Sequence, residues 1–316
     1  MVLLFCWNKL FMSNLIAKNY NYKLLYKAPL PFLGQKRKWI RYLPELLQGN
    51  LFDKGFSDYK NGIFVDMFGG SGLLSHNIKQ IFPNAEVIYN DFDGYTDYLN
   101  EECVNILKEV GVKVAYIFSK YDAKYTGKLK PCHSKYLFKL LTYYRNKFPN
   151  KFYDLAIYGL ILFSGEHGRK SIEEKRKSDN FYRKRPVGQI YLTNKIKINN
   201  DCKNYLTGLN VIKGVDFKEL IQQYKDNKNA VFICDPPYLN TCTGHYKSDF
   251  DKNNFDFLVE NIRPPFIAFS SMKNNLKELL LAKFPNAKYK EHNVYLGNRK
   301  DKSLPTTTDQ MIWCVE

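Results

Sequence analysis

The sequence predicts an α/β protein, one domain built on a parallel sheet and interrupted by a basic insert. Three observations carry this. Residues 62–111 run strand, glycine loop, helix, strand, helix, the order that builds parallel sheets. The same alternation resumes near Gly208 and continues to the C-terminus. Between the two stretches the charge balance changes abruptly. Residues 1–119 carry 13 basic and 11 acidic side chains, residues 204–316 carry 15 and 13, but residues 120–203 carry 20 and 7. At 316 residues the chain has room for one large domain or two modest ones.

The N-terminal twenty residues, MVLLFCWNKLFMSNLIAKNY, are apolar but broken by Asn8 and Lys9. The run is too short to cross a bilayer and lacks a basic start and a small-residue cleavage site. Residues 1–27 are read as an extension, and the protein is expected in the cytoplasm, away from membranes. The bulk is 45% hydrophobic and 25% charged, a folding composition. Seven cysteines form no C-x-x-C pair and are odd in number, which excludes a disulfide framework and a zinc-ribbon site. The five histidines show no ligand spacing, so no metal is expected.

The first strand, Ile63 to Val65, leads into the loop DMFGGSG and a helix from Leu73. Glycines let backbone approach a ligand closely. The dinucleotide fingerprint fails, because Ser75 stands where the third glycine belongs, and no G-K-S/T ending makes a phosphate loop. The second strand, AEVIYNDFD, ends at Asp91, about twenty residues on, where a carboxylate can meet ribose hydroxyls. Phe92 beside it can stack on adenine. The stretch YTDYLNEECVNILKEVG reads as an amphipathic helix closed by Gly111. These residues suit a nucleoside without a pyrophosphate, and S-adenosylmethionine (SAM) is one. Upstream, Lys36 in APLPFLGQKRKWI can pair with its carboxylate and Phe32 can pack beside it. In GVDFKEL, Asp216 and Phe217 follow another strand, near an adenine site or as a plain helix cap.

The run VFICDPPYLN, residues 231–240, is a short buried strand ending in Asp235-Pro236-Pro237-Tyr238. Proline cannot donate to a sheet ladder, so the strand ends there, and two prolines fix φ twice. The aspartate and tyrosine are thus held on a stiff loop at the strand's C-terminal edge, where ligands bind in open α/β sheets.

Taken in order, P-F-x-G-x-K, D-x-F-x-G-x-G, N-D-F, a basic insert, D-F and D-P-P-Y resemble the Dam-type DNA adenine-N6 methyltransferases over roughly residues 28–316. The resemblance implies a SAM-dependent, Rossmann-like fold. Its sheet is mostly parallel and seven-stranded, with helices on both faces and a terminal antiparallel hairpin. It implies a catalytic domain of residues 28–119 and 204–316 and a target-recognition insert of residues 120–203. It implies SAM contacts from Phe32, Gly34, Lys36, Asp66, Phe68, Gly70, Gly72, Asp91, Phe92, Asp216 and Phe217. Catalysis would fall to Asp235, Pro236, Pro237 and Tyr238. Two departures are visible: Gly34-Gln35-Lys36 replaces G-G-K, and the insert lacks the family's Asn/Arg-rich pattern.

The expected reaction is methyl transfer to the N6 amine of adenine in DNA. The insert cations Arg169, Lys170, Arg183, Lys184 and Arg185, interleaved with Phe181 and Tyr182, are expected to hold phosphates. A cognate restriction endonuclease is a partner that such an enzyme admits. Cytosine-N4 methylation, RNA adenine methylation and a non-catalytic DNA-binding protein with a decayed pocket remain as rivals. SAM titration separates the last from the enzymes.

Overall fold

The computed structural model describes residues 22–29, 32, 34–49, 55–121, part of 136–147, 204–237, 250–272, 274–294 and 307–316. Its frame is a sheet of seven strands: β1 Ile63–Asp66, β2 Glu86–Asp91, β3 Asn210–Lys213, β4 Ala230–Cys234, β5 Phe266–Ser271, β6 Lys288–Val294 and β7 Thr307–Cys314. The order across it is β3-β2-β1-β4-β5-β7-β6. The strands β3 through β5 run parallel, and β7 is antiparallel to both of its neighbours. The chain builds outward from β1 to β3, then returns to place β4 on the other side of β1. The gap between β1 and β4 is therefore the topological switch point, the place where parallel α/β sheets open a crevice.

The central strands are continuously apolar because both faces are covered. Alternate residues divide cleanly between two cores. Phe64, Val87, Val231, Ile233, Ile267, Phe269 and Met311 face one side. There they meet α1 (Leu43–Gln48), α2 (Leu73–Ile81) and α3 (Glu101–Lys120). Val65, Ile88, Phe232, Cys234, Phe266, Ala268 and Ile312 face the other. They meet α4 (Phe217–Tyr224), α5 (Lys252–Asn261) and α6 (Leu276–Lys283). This period-two division puts helices on both faces of one mixed sheet, a Rossmann-like arrangement.

Gly111 does not close a helix. A short 3-10 turn, Tyr95–Leu99, precedes α3, and α3 then runs through Gly111 to Lys120. Asn100 caps its start by accepting from the Cys103 amide at 2.8 Å. A mid-helix glycine costs about 1 kcal/mol relative to alanine. Burial of Cys103, Ile106 and Val110, with Ile117 packed at the rim of the same core, offsets that cost. Downstream, Tyr144 is buried in this core and Lys147 pairs with Glu109 of α3. Asp216, three residues after β3 closes at Lys213, caps α4, which begins at Phe217, so the helix-cap reading of GVDFKEL holds.

Candidate active site

A cavity opens at the switch point. The loop after β1 supplies Met67 to Ser71, the turn after β2 supplies Phe92 and Asp93, and the approach to α4 supplies Val215 to Phe217. The corner after β4 supplies Asp235 to Pro237. Phe32 and Gly34 to Lys36 close one side, and Phe250 and Asn254 another.

The strand-ending prolines do what their chemistry requires. β4 is fully buried and stops at Cys234, and Asp235 emerges directly at the cavity. Its carboxylate lies 2.6 Å from the Lys36 ammonium, with side chains 18% and 10% exposed. Burial pushes the Asp235 carboxyl above its ordinary range, and the Lys36 charge pulls it partly back. Lys36 also donates to the Gly34 carbonyl at 3.0 Å and stands 5.8 Å from the centre of the Phe269 ring. Lys36 thus ties the entry loop to the β4 corner.

The glycine loop is shaped by protein neighbours. Gly70 has φ +52°, and a Cβ there would fall 2.9 Å from the Phe32 ring. Gly72 has φ +69° and caps the start of α2 in the left-handed region. From beneath, the Tyr89 hydroxyl donates to the Gly70 carbonyl at 2.7 Å and the Tyr205 hydroxyl to the Ser71 carbonyl at 3.0 Å. A ring from residue 205 therefore fixes a loop 134 residues earlier, which no local sequence pattern announces.

Two of the carboxylates expected as ligands make local hydrogen bonds in the structure. Asp66 is 1% exposed beneath the loop and accepts from the Ser75 hydroxyl at 2.5 Å. It does not line the cavity. Burial, with Asp235 adding to it, raises its carboxyl to about 7, against the Ser75 hydrogen bond. Asp91 is 2% exposed and accepts from the Tyr95 amide at 2.6 Å, the Thr96 amide at 3.0 Å and the Thr96 hydroxyl. It holds the 3-10 turn, and Asp93, two residues on, is the carboxylate on the cavity wall. The N-D-F pattern marks this turn; in the structure the turn's own amides hold Asp91, and Asp93 lies on the cavity wall.

Phe68, Phe217 and Phe250 form an aromatic wall, with ring centres 5.1, 5.7 and 5.6 Å apart. Asp216 caps α4 by accepting from the Lys218 amide at 2.8 Å and also lines the cavity. Phe250 and Asn254 escaped the sequence reading, because they flank the start of α5, which carries no motif of its own. Tyr238 and the cations Arg169, Lys170, Arg183, Lys184 and Arg185 lie outside the described residues, as does most of the basic insert. Among the described residues no helix is long and apolar enough to cross a membrane, and no group of three acidic, His or Cys ligands is placed to hold a metal.

The cavity therefore combines an aromatic wall, carboxylates, a cation and a rigid Asp-Pro-Pro corner at one sheet edge. No family model matches the chain. A curated protein of Haemophilus influenzae named "Putative methyltransferase" is 32% identical to it over 257 residues, 80% of this chain and 79% of that protein. With that identity and coverage on a seven-stranded sheet of this order, the chain belongs to the methyltransferase family of that relative.

Proposed function

We propose that the protein methylates the N6 amine of adenine in DNA, with SAM as the methyl donor. The observation that carries the reading is the placement of Asp235-Pro236-Pro237 on the wall of the same cavity as the glycine loop and Lys36.

The residues fit the donor. The wall of Phe68, Phe217 and Phe250 offers ring faces to an adenine, and Asp93 and Asp216 offer acceptors to polar nucleoside groups. Lys36 offers a cation to a carboxylate at the Phe32 side. When bound, SAM supplies an electrophilic methyl on a sulfonium.

The chain's own part is to make a poor nucleophile competent. The exocyclic amine of adenine is weak because its lone pair is delocalised into the ring. Asp235 accepts one N–H, and the backbone carbonyl of Pro236 accepts the other. Two fixed acceptors draw the nitrogen toward tetrahedral geometry and free the lone pair on the opposite side. Their placement before reaction avoids reorganisation during it. A proline pair serves here because it leaves a carbonyl free and removes backbone freedom. Tyr238, next in sequence, is proposed to stack on a base drawn out of the duplex, and the insert cations to hold the backbone.

The test is a tritium-transfer assay with Asp235→Ala. Transfer should fall by about 10²–10³-fold or more, while SAM still binds by titration. Undiminished turnover would remove Asp235 from the chemistry. Single-molecule sequencing of DNA from cells expressing the gene would show methylated adenine; methylated cytosine in its place would move the acceptor to the N4 amine.

A further inference from the structure

The sequence places its excess charge in the insert, yet a second cationic surface lies on the catalytic frame. It is reached from the active corner by an unbroken chain of contacts. Lys36, paired with Asp235, stands over the Phe269 ring. Trp39 packs on Phe269 at 6.2 Å and on His292 of β6 at 4.7 Å. His292 packs on Tyr42 at 5.1 Å. Two cations meet the Tyr42 ring: Arg41 at 5.1 Å and Lys290 at 4.1 Å. Lys38, one turn before Arg41, adds a third charge; its field, with those of Arg41 and Lys290, depresses the His292 imidazole below its usual range, behind burial as the main cause.

The topology puts this cluster at the same sheet edge as Asp235. That edge carries the C-terminal ends of β4 and β6 and the N-terminal end of the antiparallel β7. Asp309, opposite His292 in the β6–β7 register, is felt by both Asp235 and His292. From β4 to β6 is three strand spacings, roughly 14 Å at ~4.8 Å each. That is the rise of about four nucleotides at ~3.4 Å.

Lys38 and Arg41 are exposed and Lys290 is half-buried. Among the described residues no carboxylate lies within ion-pair distance of any of the three, although Lys277 on the neighbouring helix holds Glu291 of the same strand at 2.8 Å. Gathering cations on one ring without acid partners opposes folding slightly through like-charge repulsion. A polyanion relieves that repulsion, and aromatic stems hold the cations in place before it arrives.

We propose that Arg41 and Lys290, gathered on Tyr42, together with Lys38, form a phosphate-binding surface for duplex DNA flanking the base in the cavity. The inference rests on the DNA reading above and assigns part of that contact to the frame instead of the insert.

Phosphate contacts are independent of sequence, so a mixed-sequence fluorescent duplex is a sufficient probe. Its affinity is measured by anisotropy across a salt series for the full chain, the triple variant Lys38→Gln, Arg41→Gln, Lys290→Gln, and Lys38→Gln alone. Each lost contact should reduce the slope of log affinity against log salt by about 0.9, so the triple variant should lose roughly 2–3 and the single variant about 0.9. SAM titration reports whether each variant keeps its fold. If the triple variant loses SAM binding, the exposed Lys38→Gln decides alone. An unchanged slope in a variant that binds SAM overturns the proposal and leaves the DNA reading standing. A wild-type protein that binds SAM but no duplex overturns both.

Discussion

Lys36 holds the catalytic corner by charge as well as by position. Burial alone would favour the neutral form of Asp235, which cannot accept an N–H at its protonated oxygen; the ammonium 2.6 Å away favours the ionised form. Lys36→Met removes that support, so the Asp235 carboxyl should rise further. The acid limb of a kcat/KM profile should then move to higher pH, with the largest loss of activity at the acid end. A variant whose loss is uniform across pH would confine Lys36 to ligand binding. The sequence showed Lys36 and Asp235 as two separate candidates, 199 positions apart, and their mutual contact was not legible. Pairing across the sheet depends on where the P-F-x-G-x-K loop folds back, and no periodicity encodes that. The opposite failure occurred at Asp66 and Asp91, whose places at strand ends were legible but whose partners were not. Hydroxyls and amides a few residues on, from Ser75, Tyr95 and Thr96, satisfy them locally.

At the scale of elements, strands were easier to read than the supports of the loops between them. β1, β2, β4 and β5 are apolar because both of their faces are buried, and that physics writes itself into consecutive residues. α3 was read short because Gly111 resembles a stop, whereas the stop signal is overridden by apolar spacing that continues beyond it. The glycine loop was found from its own residues, but its rigidity comes from Tyr89 and Tyr205 below. Tyr205→Phe keeps the buried ring, 2% exposed, and removes only the hydrogen bond to Ser71. Thermal unfolding should show a loss of about 1 kcal/mol. If the loop shapes the donor site, SAM affinity should fall by up to about fivefold as the loop loosens. Unchanged affinity at lowered stability would make Tyr205 a core residue with no bearing on the site.

At the scale of the molecule, the switch point concentrates unfavourable electrostatics that the two cores must offset. Asp66 sits at the meeting of β1 and β4, with its carboxyl raised to about 7 chiefly by burial. The unfolded chain releases that proton near pH 4, so between about pH 4 and 7 the folded state binds more protons than the unfolded one. Stability must then fall as pH rises through this window, with the full cost present above it. Asp66→Asn carries no charge at any pH and can keep an acceptor for the Ser75 hydroxyl. Its stability relative to wild type should therefore climb from pH 4 to pH 7 by on the order of a few kcal/mol, read from urea unfolding at pH 5 and pH 8. A difference that stays constant with pH would mean that Asp66 remains ionised in the folded state, stabilised by groups other than Ser75.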